Sequence, residues 1–559
     1  MSARRLNPAI KLLPSLTDFA FLMPMVFLFG RMEGAQSMLE DCDTGWHIRT
    51  GDWILANHTV PTQDLFSFSK PGGPWFAWEW LTDAIWAWLH SHGGLALVVL
   101  AGVLLVSATF TILFRLARRK ANPIIALGVT MVAAVCSSMH WLARPHLFTL
   151  LFLALFYTAL ERVRDGQTRW RRVPYLMLLP LATILWTNLH GGFFVGILLI
   201  GAYGGAELLK LALAHNSDQR AAARRNAARY FLSAAGCLAA SLANPYFYHL
   251  HAHILNYLRD PSTSYILEFY SLNFHHPMAL FYEGMLGAGV AAALWNAARG
   301  RYVEPLLLIV WAHGALVAAR NMPVFALLAA PPVAAMIDAG LKRLASANVA
   351  AWLRSAARRF NRVAADAAST DALARWHVVS AAGALAVAAL LLAPNPPRRF
   401  RAEFDPRSFP VAAIETLRGY PAARIFTYDQ WGDYLIYRCY PRNKVFVDGR
   451  SDYYGPEFET KVVDVQNVKY DWERTLNGFG IDTILLSPRM ALAGALKESR
   501  RWRLVYDDGV ALVFRPVAAA AREKDPVASG GGAGRDREIT KIEARDRAIT
   551  VVQDKATSS

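Results

Sequence analysis

The sequence predicts a polytopic α-helical membrane protein, with about eleven transmembrane helices and a small C-terminal extracytoplasmic α/β domain. Hydrophobic residues make up 54% of the 559 positions and charged residues only 18%, whereas a soluble domain has about 25% charged residues. Apolar runs long enough to cross a bilayer recur through the first 394 residues, with clusters of basic residues between them. Residues 395–518, in contrast, have the composition of a soluble domain.

Each predicted span is a run of roughly 20 mostly apolar residues, the length that a helix needs to cross the hydrocarbon layer. We interpret the first span as a retained helix rather than a cleaved signal peptide. Arg31, Met32 and Glu33 follow it without a small-residue cleavage site. The predicted spans are 14–32, 93–116, 122–140, 145–162, 173–189, 192–213, 230–246, 278–298, 304–320, 322–340 and 377–394.

The basic residues fall mainly on one side of this topology. The formal charge of +16 could indicate a nucleic-acid partner, but clusters between apolar runs are typical of membrane topology. About 26 Lys and Arg lie in the loops of one side before residue 395, and about six lie in the others. The positive-inside rule therefore predicts a multi-pass plasma (inner) membrane protein with a cytoplasmic N-terminus, an extracytoplasmic C-terminal domain and no nucleic-acid partner.

Several segments are predicted to lie outside the bilayer. The outer loop 33–92, within the membrane domain 1–394, is rich in Trp, so part of it should lie along the membrane as amphipathic helices. The Arg-rich stretch 342–376 resembles a basic surface helix on anionic lipid. Residues 395–518 carry strand-like runs at 424–427, 444–447, 483–486 and 510–514, with helical stretches near 455–478 and 489–499. The tail 519–559 is predicted to be disordered.

Polar side chains gather at the predicted extracytoplasmic ends of the spans. A charge close to hydrocarbon costs several kcal/mol unless it is paired or hydrated, so such residues are functional candidates. Arginine binds phosphate through two parallel hydrogen bonds, and carboxylates can act as a base or hold a divalent cation. This composition indicates a site for a phosphate-bearing substrate. Its candidate residues are Asp41, Asp43, His47, Glu79, Arg144, His146, Asn188, His190, Glu268, Arg320 and Asn321.

Each motif also has a structural interpretation. The pattern Asp-x-Asp is short and occurs by chance, and Arg144 or Arg320 could simply anchor a helix end among lipid headgroups. His190 could cap a helix, and Glu79 could be a surface acid in a belt of Trp. In the C-terminal domain the run from Asp448 to Asp452 could bind an acceptor glycan or form a turn, since Asp-Gly is a common turn pair.

Several of these runs resemble a bacterial branch of the GT-C superfamily of membrane glycosyltransferases, which includes protein O-mannosyltransferases and aminoarabinose transferases. The resemblance extends over about residues 10–515 and includes the order of the spans, the long first outer loop and the C-terminal domain. The runs are Asp41-Cys42-Asp43-Thr44-Gly45-Trp46-His47, Trp78-Glu79-Trp80, Arg144-Pro145-His146, Asn188-Leu189-His190-Gly191-Gly192, Trp431-Gly432-Asp433-Tyr434-Leu435 and Val447-Asp448-Gly449-Arg450.

The resemblance implies that the first outer loop carries the catalytic acid and that the donor is a polyprenyl-phosphate sugar. Asp43, or else Asp41, would take the proton of an acceptor hydroxyl, while Arg144 and Arg320 would hold the leaving phosphate. The other candidate residues would bind the substrates. The acceptor would be a glycan, a lipid or a protein, and the bilayer itself is a partner. A divalent cation, Mg²⁺ or Mn²⁺, could be held by Asp41 and Asp43.

Two functions of other classes stay open at this point. Charges within the membrane also mark transport paths, so a lipid or glycan transporter or flippase is an alternative. A non-catalytic envelope assembly protein is the other. The sequence shows no internal repeat and places the charges at one face, which favours the enzyme. The separation of Asp43 from the two arginines discriminates further, because reacting groups must approach within hydrogen-bond reach.

Overall fold

The computed structural model describes residues 12–260, 266–373, 376–420 and 423–517. The predicted disordered tail 519–559 lies outside the described residues, as do the basic residues that precede the first span. Helices dominate the first 394 residues, and a four-stranded sheet lies in the C-terminal part.

Each of the eleven predicted spans overlaps a helix of the structure. Five helical stretches, 80–117, 123–140, 146–164, 193–213 and 319–346, are long and apolar enough to cross a membrane, and four further apolar helices are shorter. The chain is thus a multi-pass membrane protein, and the count of eleven spans stays a prediction. The helices are α1 (Leu16–Gly30), α2 (Asp43–Asn57), α3 (Trp80–Ala117), α4 (Pro123–Ser137), α5 (His146–Arg164), α6 (Tyr175–Leu189), α7 (Phe193–Ala212), α8 (Ser217–Ala240), α9 (Tyr248–Tyr257), α10 (Ala279–Ala297), α11 (Val303–Val317), α12 (Met322–Ser346), α13 (Ala351–Asp371) and α14 (Val378–Leu391).

Local sequence signals explain where several helices begin and bend. Ser15 and Asp18 form a capping box at the start of α1. Asn122 caps α4, and Pro123 occupies its first turn, where the missing N–H costs nothing. Helix α3 is kinked at Gly93 and Gly94, and the φ of 61° at Gly94 is a left-handed conformation that glycine adopts without strain. The kink coincides with the predicted border between the outer loop and the second span.

The bundle has two chemically different ends. One end, where α1 ends and α3 begins, carries the predicted site residues, and we call it the site end. There Arg399 of the C-terminal part donates to the carbonyl oxygens of Phe29 (2.9 Å) and Gly30 (2.6 Å). At the opposite, basic end, Asp371 of α13 pairs with Arg118 (2.7 Å) and accepts the Leu16 N–H (2.5 Å). Helix α13 occupies most of the stretch predicted to be a basic surface helix, and its contact with lipid stays a prediction.

The C-terminal part contains a mixed sheet of strand order β3-β4-β6-β5, in which β3 and β4 are parallel and the other pairs antiparallel. A two-residue hairpin, β1 (Arg169–Trp170) and β2 (Val173–Pro174), precedes α6. The C-terminal elements are α15 (Ala413–Arg418), β3 (Ile425–Phe426), α16 (Asp429–Cys439), α17 (Ser451–Tyr454), α18 (Pro456–Gln466), α19 (Trp472–Gly478), β4 (Thr483–Leu486), α20 (Ala491–Glu498), β5 (Trp502–Asp507) and β6 (Leu512–Pro516).

The predicted strand 444–447 does not form. Val445 makes only isolated bridges, to Ser67 and to Ile425. Its N–H donates to the carbonyl of Phe66 (2.9 Å), and its carbonyl accepts the Phe68 N–H (3.0 Å). The apolar run therefore bridges both β3 of the sheet and the first outer loop, and the loop is a partner that lies far away in sequence.

Helix α16 of the C-terminal part packs directly on α2 of the outer loop. Gly45 permits the close approach, because a Cβ there would lie 2.7 Å from the Cβ of Tyr437. Arg49 donates to the Tyr437 carbonyl from Nε (2.9 Å) and Nη2 (2.6 Å). This packing brings side chains of α16 next to the acids that begin α2.

Candidate functional site

Asp41 and Asp43, the two acids that follow the first helix, are held by one guanidinium. Arg144 Nη1 lies 2.6 Å from Asp41 Oδ2, and its Nη2 lies 2.6 Å from Asp43 Oδ2. The Asp43 N–H donates to the other oxygen of Asp41 (2.8 Å). The two carboxylates and the arginine thus form one ion cluster, although they lie about a hundred residues apart in sequence.

The backbone that carries Arg144, between α4 and α5, is anchored to the outer loop. The Ala143 carbonyl accepts hydrogen bonds from Thr44 Oγ1 (3.1 Å) and Trp86 Nε1 (2.9 Å). The Ala143 N–H donates to the carbonyl of Met38 (2.8 Å). Hydrogen bonds to both the N–H and the carbonyl of Ala143 therefore fix the backbone from which the Arg144 side chain extends.

A third acid, Asp433 of α16, faces Asp43. A Cβ at Gly449 would lie 2.5 Å from Asp43 Oδ1 and 2.7 Å from Asp433 Oδ2, so both oxygens converge on this glycine. The Gly449 N–H donates to Asp433 Oδ1 (2.9 Å), whereas the buried Oδ2 has no ordinary donor. Both carboxyls therefore lie against the same turn of the C-terminal part.

Each acid of this pair acts on the pKa of the other. Burial raises the pKa of Asp433, and the negative charge of Asp43 raises it further. Burial also raises the pKa of Asp43, while Arg144 acts in the opposite direction and a hydrogen bond with Asp433 stabilises its charged form. Two interacting carboxyls of this kind titrate as a unit.

A second buried network is centred on Glu79. Its Oε2 lies 3.6 Å from His47 Nε2 and its Oε1 lies 3.3 Å from His190 Nε2. His47 Nδ1 is bonded to Asp83 (2.6 Å). His190 Nδ1 accepts the Gly192 N–H (2.9 Å), so its Nε2 carries the proton and points to Glu79.

Burial sets the charge states in the Glu79 network. It raises the pKa of Glu79 to about 8, although Arg144 opposes the shift. Burial lowers the pKa of His190 to about 3, and the charges of Arg320 and Arg144 add to this effect. The pKa of His47 is lowered for the same first reason. Both histidines are therefore neutral at pH 7, and their contacts with Glu79 are polar contacts between uncharged rings and the carboxyl rather than ion pairs.

Arg320 and Glu268 lie on the opposite side of the same site. Arg320 Nη1 is 3.7 Å from Glu268 Oε1, and its guanidinium stands over the Phe269 ring at 4.3 Å. Burial alone would raise the pKa of Glu268, but Arg320 and Arg144 together hold it at about 2. Glu268 thus stays ionised, and Arg320, with one third of its side chain exposed, is the more accessible of the two arginines.

Three of the predicted site residues use their polar atoms to hold helix ends. Asn188 accepts the Trp80 indole N–H (2.7 Å) and donates to the carbonyls of Ile184 and Ala243, at 2.8 Å each. His146 is bonded to the His140 carbonyl (2.6 Å). Asn321 donates to the carbonyl of Gly314 (3.0 Å). A role of these three in substrate binding stays a prediction.

The C-terminal turn Asp448-Gly449-Arg450 is a buried clamp. Arg450 Nη2 donates to Asp448 and to Asp64 of the outer loop, at 2.7 Å each. Asp448 is fully buried and Arg450 is 2% exposed, which favours the turn interpretation over direct binding of a glycan. The clamp places Gly449 beside the acid pair. Three aromatic rings surround the guanidinium, those of Phe66, Trp75 and Tyr453.

The site includes three residues for which the sequence predicted no role in it, Asp433, Asp83 and Gly449. Asp83 lies on α3, three residues after Trp80, within a segment that the sequence predicts to be an amphipathic helix. The runs around Asp433 and Gly449 resemble the GT-C superfamily, but the sequence alone does not show what these residues contact. Asp83 contacts His47, 36 residues away, while Asp433 and Gly449 meet Asp43 across hundreds of residues, so only the tertiary structure reveals these contacts.

The residues predicted for a divalent cation, Asp41 and Asp43, each direct one oxygen to Arg144. Among the described residues, no group of three or more His, Cys, Asp and Glu has the arrangement that a metal ion needs.

No protein-family model matches the chain, and no curated protein matches it. Among solved structures, apo ArnT from Cupriavidus metallidurans is similar with a TM-score of 0.43 and 15% identity, over 90% of this chain and 97% of ArnT. The archaeal oligosaccharyltransferase AglB from Archaeoglobus fulgidus is similar with a TM-score of 0.52 and 11% identity, over 89% of this chain and 73% of AglB. The chain has a GT-C fold.

The predicted relationship to the GT-C superfamily is thus confirmed at the level of the fold. The AglB structure is a complex with an inhibitory peptide and a dolichol-phosphate. A shared fold at such low identity does not transfer donor, acceptor or mechanism, so function has to be argued from the site itself.

Proposed function

We propose that this GT-C protein is a membrane glycosyltransferase that moves a sugar from a polyprenyl-phosphate donor to an acceptor at the extracytoplasmic face. The observation that carries the proposal is the cluster of Asp41, Asp43 and Arg144 at one end of the bundle. The basic end holds most of the Lys and Arg of the loops, which supports a cytoplasmic position for that end and an outer position for the site. The acceptor is a glycan, a lipid or a protein.

Asp43 is the preferred base. Both oxygens of Asp41 are engaged, by the Asp43 N–H and by Arg144, whereas Asp43 pairs with Arg144 through Oδ2 and its Oδ1 faces Gly449. The acceptor oxygen attacks the anomeric carbon from the face opposite the phosphate, and its proton passes to the carboxylate. The bond from the anomeric carbon to the phosphate oxygen breaks, and the lipid phosphate leaves with the electron pair. One displacement of this kind inverts the anomeric centre.

Arg320 is the preferred ligand of the leaving phosphate. Its guanidinium is one third exposed and its acidic partner is 3.7 Å away, so it can donate to phosphate as the negative charge develops. Arg144, which was predicted to share this role, is already bonded to two carboxylates. Its positive charge acts on the leaving group only through the field of the site.

Glu79 and its two histidines form the part of the site that orients the acceptor. Glu79 lies between the Nε2 atoms of His47 (3.6 Å) and His190 (3.3 Å), so the network presents uncharged polar groups to an acceptor. Trp78 and Trp80 flank Glu79 in the sequence and offer aromatic faces for sugar stacking. This assignment keeps ionised groups for the reaction centre and neutral groups for recognition.

The base assignment is tested with three separate variants, Asp43→Asn, Asp41→Asn and Asp52→Asn, in membrane vesicles. The donor is the lipid-linked sugar fraction extracted from the same cells, and the measurement is the polyprenyl phosphate released. We expect Asp43→Asn to lower the rate by about 100-fold or more, the usual contribution of a general base. Asp52 is the control, because it is an acid on the same helix that pairs with Arg49. Unchanged release in both Asp41→Asn and Asp43→Asn would end the assignment.

The phosphate assignment is tested with Arg320→Ala in the same vesicles. Loss of a charge-assisted hydrogen bond should raise the donor concentration for half-maximal rate by about tenfold or more. Arg301→Ala, at the basic end, is the matched control and should leave the donor dependence as in wild type. A donor dependence of Arg320→Ala equal to that of wild type would refute the role.

A further inference from the structure

The positive charge between the outer-loop acids is supplied by the chain itself. Arg144 bonds to one oxygen of Asp41 and one of Asp43, at 2.6 Å each. Glu268 and Glu79 also act on it, and with the two aspartates they hold the pKa of Arg144 well above its usual value despite burial. Acids from three separate segments of the outer end therefore surround a single guanidinium.

Three of the four carboxylate oxygens of Asp41 and Asp43 are already bonded within the chain. Asp41 Oδ1 accepts the Asp43 N–H, and its Oδ2 accepts Arg144. Asp43 gives Oδ2 to Arg144 and turns Oδ1 to Asp433. Mg²⁺ and Mn²⁺ prefer about six oxygen ligands in a nearly octahedral arrangement. A divalent cation between Asp41 and Asp43 would have to displace the guanidinium, because two cations cannot share that position.

Arg144 cannot easily leave this position. Its neighbour Ala143 is fixed by three hydrogen bonds, from Thr44 and Trp86 to its carbonyl and from its own N–H to Met38. Pro145, the next residue, restricts the backbone on the other side. A planar guanidinium also matches two carboxylates better than a single ammonium does. The positive charge is thus preorganised before any substrate binds.

We propose that Arg144 is the resident cation of this site, occupying the place of a divalent metal between Asp41 and Asp43, so that sugar transfer needs neither Mg²⁺ nor Mn²⁺. Arg144 is a positioning residue in this account: it sets the spacing and the charge of the two aspartates. The statement about transfer rests on the proposed function. The statement about cation binding does not, because it follows from the contacts of the three side chains.

The binding test uses purified full-length protein and the EPR signal of free Mn²⁺. Wild type should leave the signal unchanged. Arg144→Ala removes the guanidinium and frees one oxygen each of Asp41 and Asp43, so it should bind one Mn²⁺ per chain. Adding Asp43→Asn to Arg144→Ala should abolish that binding. Arg49→Ala removes a cation from another outer-loop ion pair (Arg49–Asp52, 2.8 Å) and should bind none.

Two further measurements keep the inference falsifiable. Arg144→Lys retains a positive charge, so it should bind no Mn²⁺ even if Arg144→Ala does not fold. Wild-type release of polyprenyl phosphate should be unchanged by EDTA and by added Mn²⁺. Stoichiometric Mn²⁺ binding by wild type that Asp41→Asn or Asp43→Asn loses would overturn the inference, as would loss of transfer in EDTA with recovery in Mn²⁺. Failure of Arg144→Ala to bind Mn²⁺, if that variant folds, would also overturn it. Absence of transfer from any donor, with the EPR results as expected, would refute the proposed function alone.

Discussion

Glu79 is a buried acid between two neutral histidines, and its protonation depends on the folded state. Burial raises its pKa from 4.5 to about 8, so the folded protein holds a proton that the unfolded chain releases between these values. A raised carboxyl pKa contributes stability that is fully present below about pH 4.5 and is lost as the pH rises to about 8. The folded protein should therefore become less stable across this range because of Glu79.

Glu79→Gln removes that pH dependence. We expect the difference in melting temperature, variant minus wild type, to increase as the pH rises from about 5 to about 8, because only wild type has to release the proton. Intrinsic tryptophan fluorescence during heating of the purified protein gives the measurement. Glu33→Gln, an exposed acid of the outer loop, is the control and should follow wild type at every pH. A Glu79→Gln difference that stays constant over the range would contradict the buried, protonated state.

The sequence predicted the chemistry of single residues better than their partners. Asp41, Asp43, Glu79 and Glu268 stand out because acids are rare at the ends of apolar spans. The sequence does not reveal that Arg144 bonds to both aspartates, since a bidentate contact depends on how two distant loops pack. Its predicted role in phosphate binding therefore passes to Arg320 in the proposal.

At the scale of elements, the clamp between the outer loop and the C-terminal part carries the alignment of the site. Arg450 is buried and bonded to Asp64 and Asp448, and it fixes the turn that places Gly449 against Asp43 and Asp433. Removal of one partner from a buried ion pair leaves the others uncompensated. The clamp should therefore be needed for stability as well as for the geometry of the acid pair.

Arg450→Ala should destabilise the folded protein by about 3–5 kcal/mol, the usual cost of breaking a buried ion pair. Denaturation of the detergent-purified protein, followed by tryptophan fluorescence, measures the change. Arg442→Ala, an exposed arginine of the same part of the chain, should stay within about 0.5 kcal/mol of wild type. Equal stability of the two variants would mean that the clamp is not a stabilising contact.

Elements were predictable where one local signal decides the structure. Long apolar runs must become helices in a membrane, because helices satisfy every backbone polar group internally, and each predicted span indeed overlaps a helix. The prediction of a strand at 444–447 was wrong, because Val445 forms only single bridges, one to Ile425 of β3 and one to Ser67 of the outer loop. The sequence did not predict helix α16, because polar residues of this helix, such as Asp433, are buried against other parts of the chain.

At the scale of the whole molecule, the charges are separated into two sets by an apolar middle. Between His146 and Glu161, the buried side chains of α5 are apolar except for Thr149 and Tyr157. A cavity of about 560 Å³ lies at the basic end, lined by residues such as Arg119, Lys120 and Lys342. A flippase needs a polar route between the two faces, and the buried side chains of α5 between His146 and Glu161 do not form one.

The central claim is that Asp43, within the cluster at the site end, transfers a sugar from a lipid phosphate. Mass spectrometry of lipid-linked sugars and surface glycans, in cells whose own gene copy carries Asp43→Asn, tests it most directly. We predict that one surface glycan is lost and that its lipid-linked donor accumulates, whereas Asp52→Asn cells match wild type. Wild-type spectra in Asp43→Asn cells, at equal abundance of the protein in the membrane, would contradict the account.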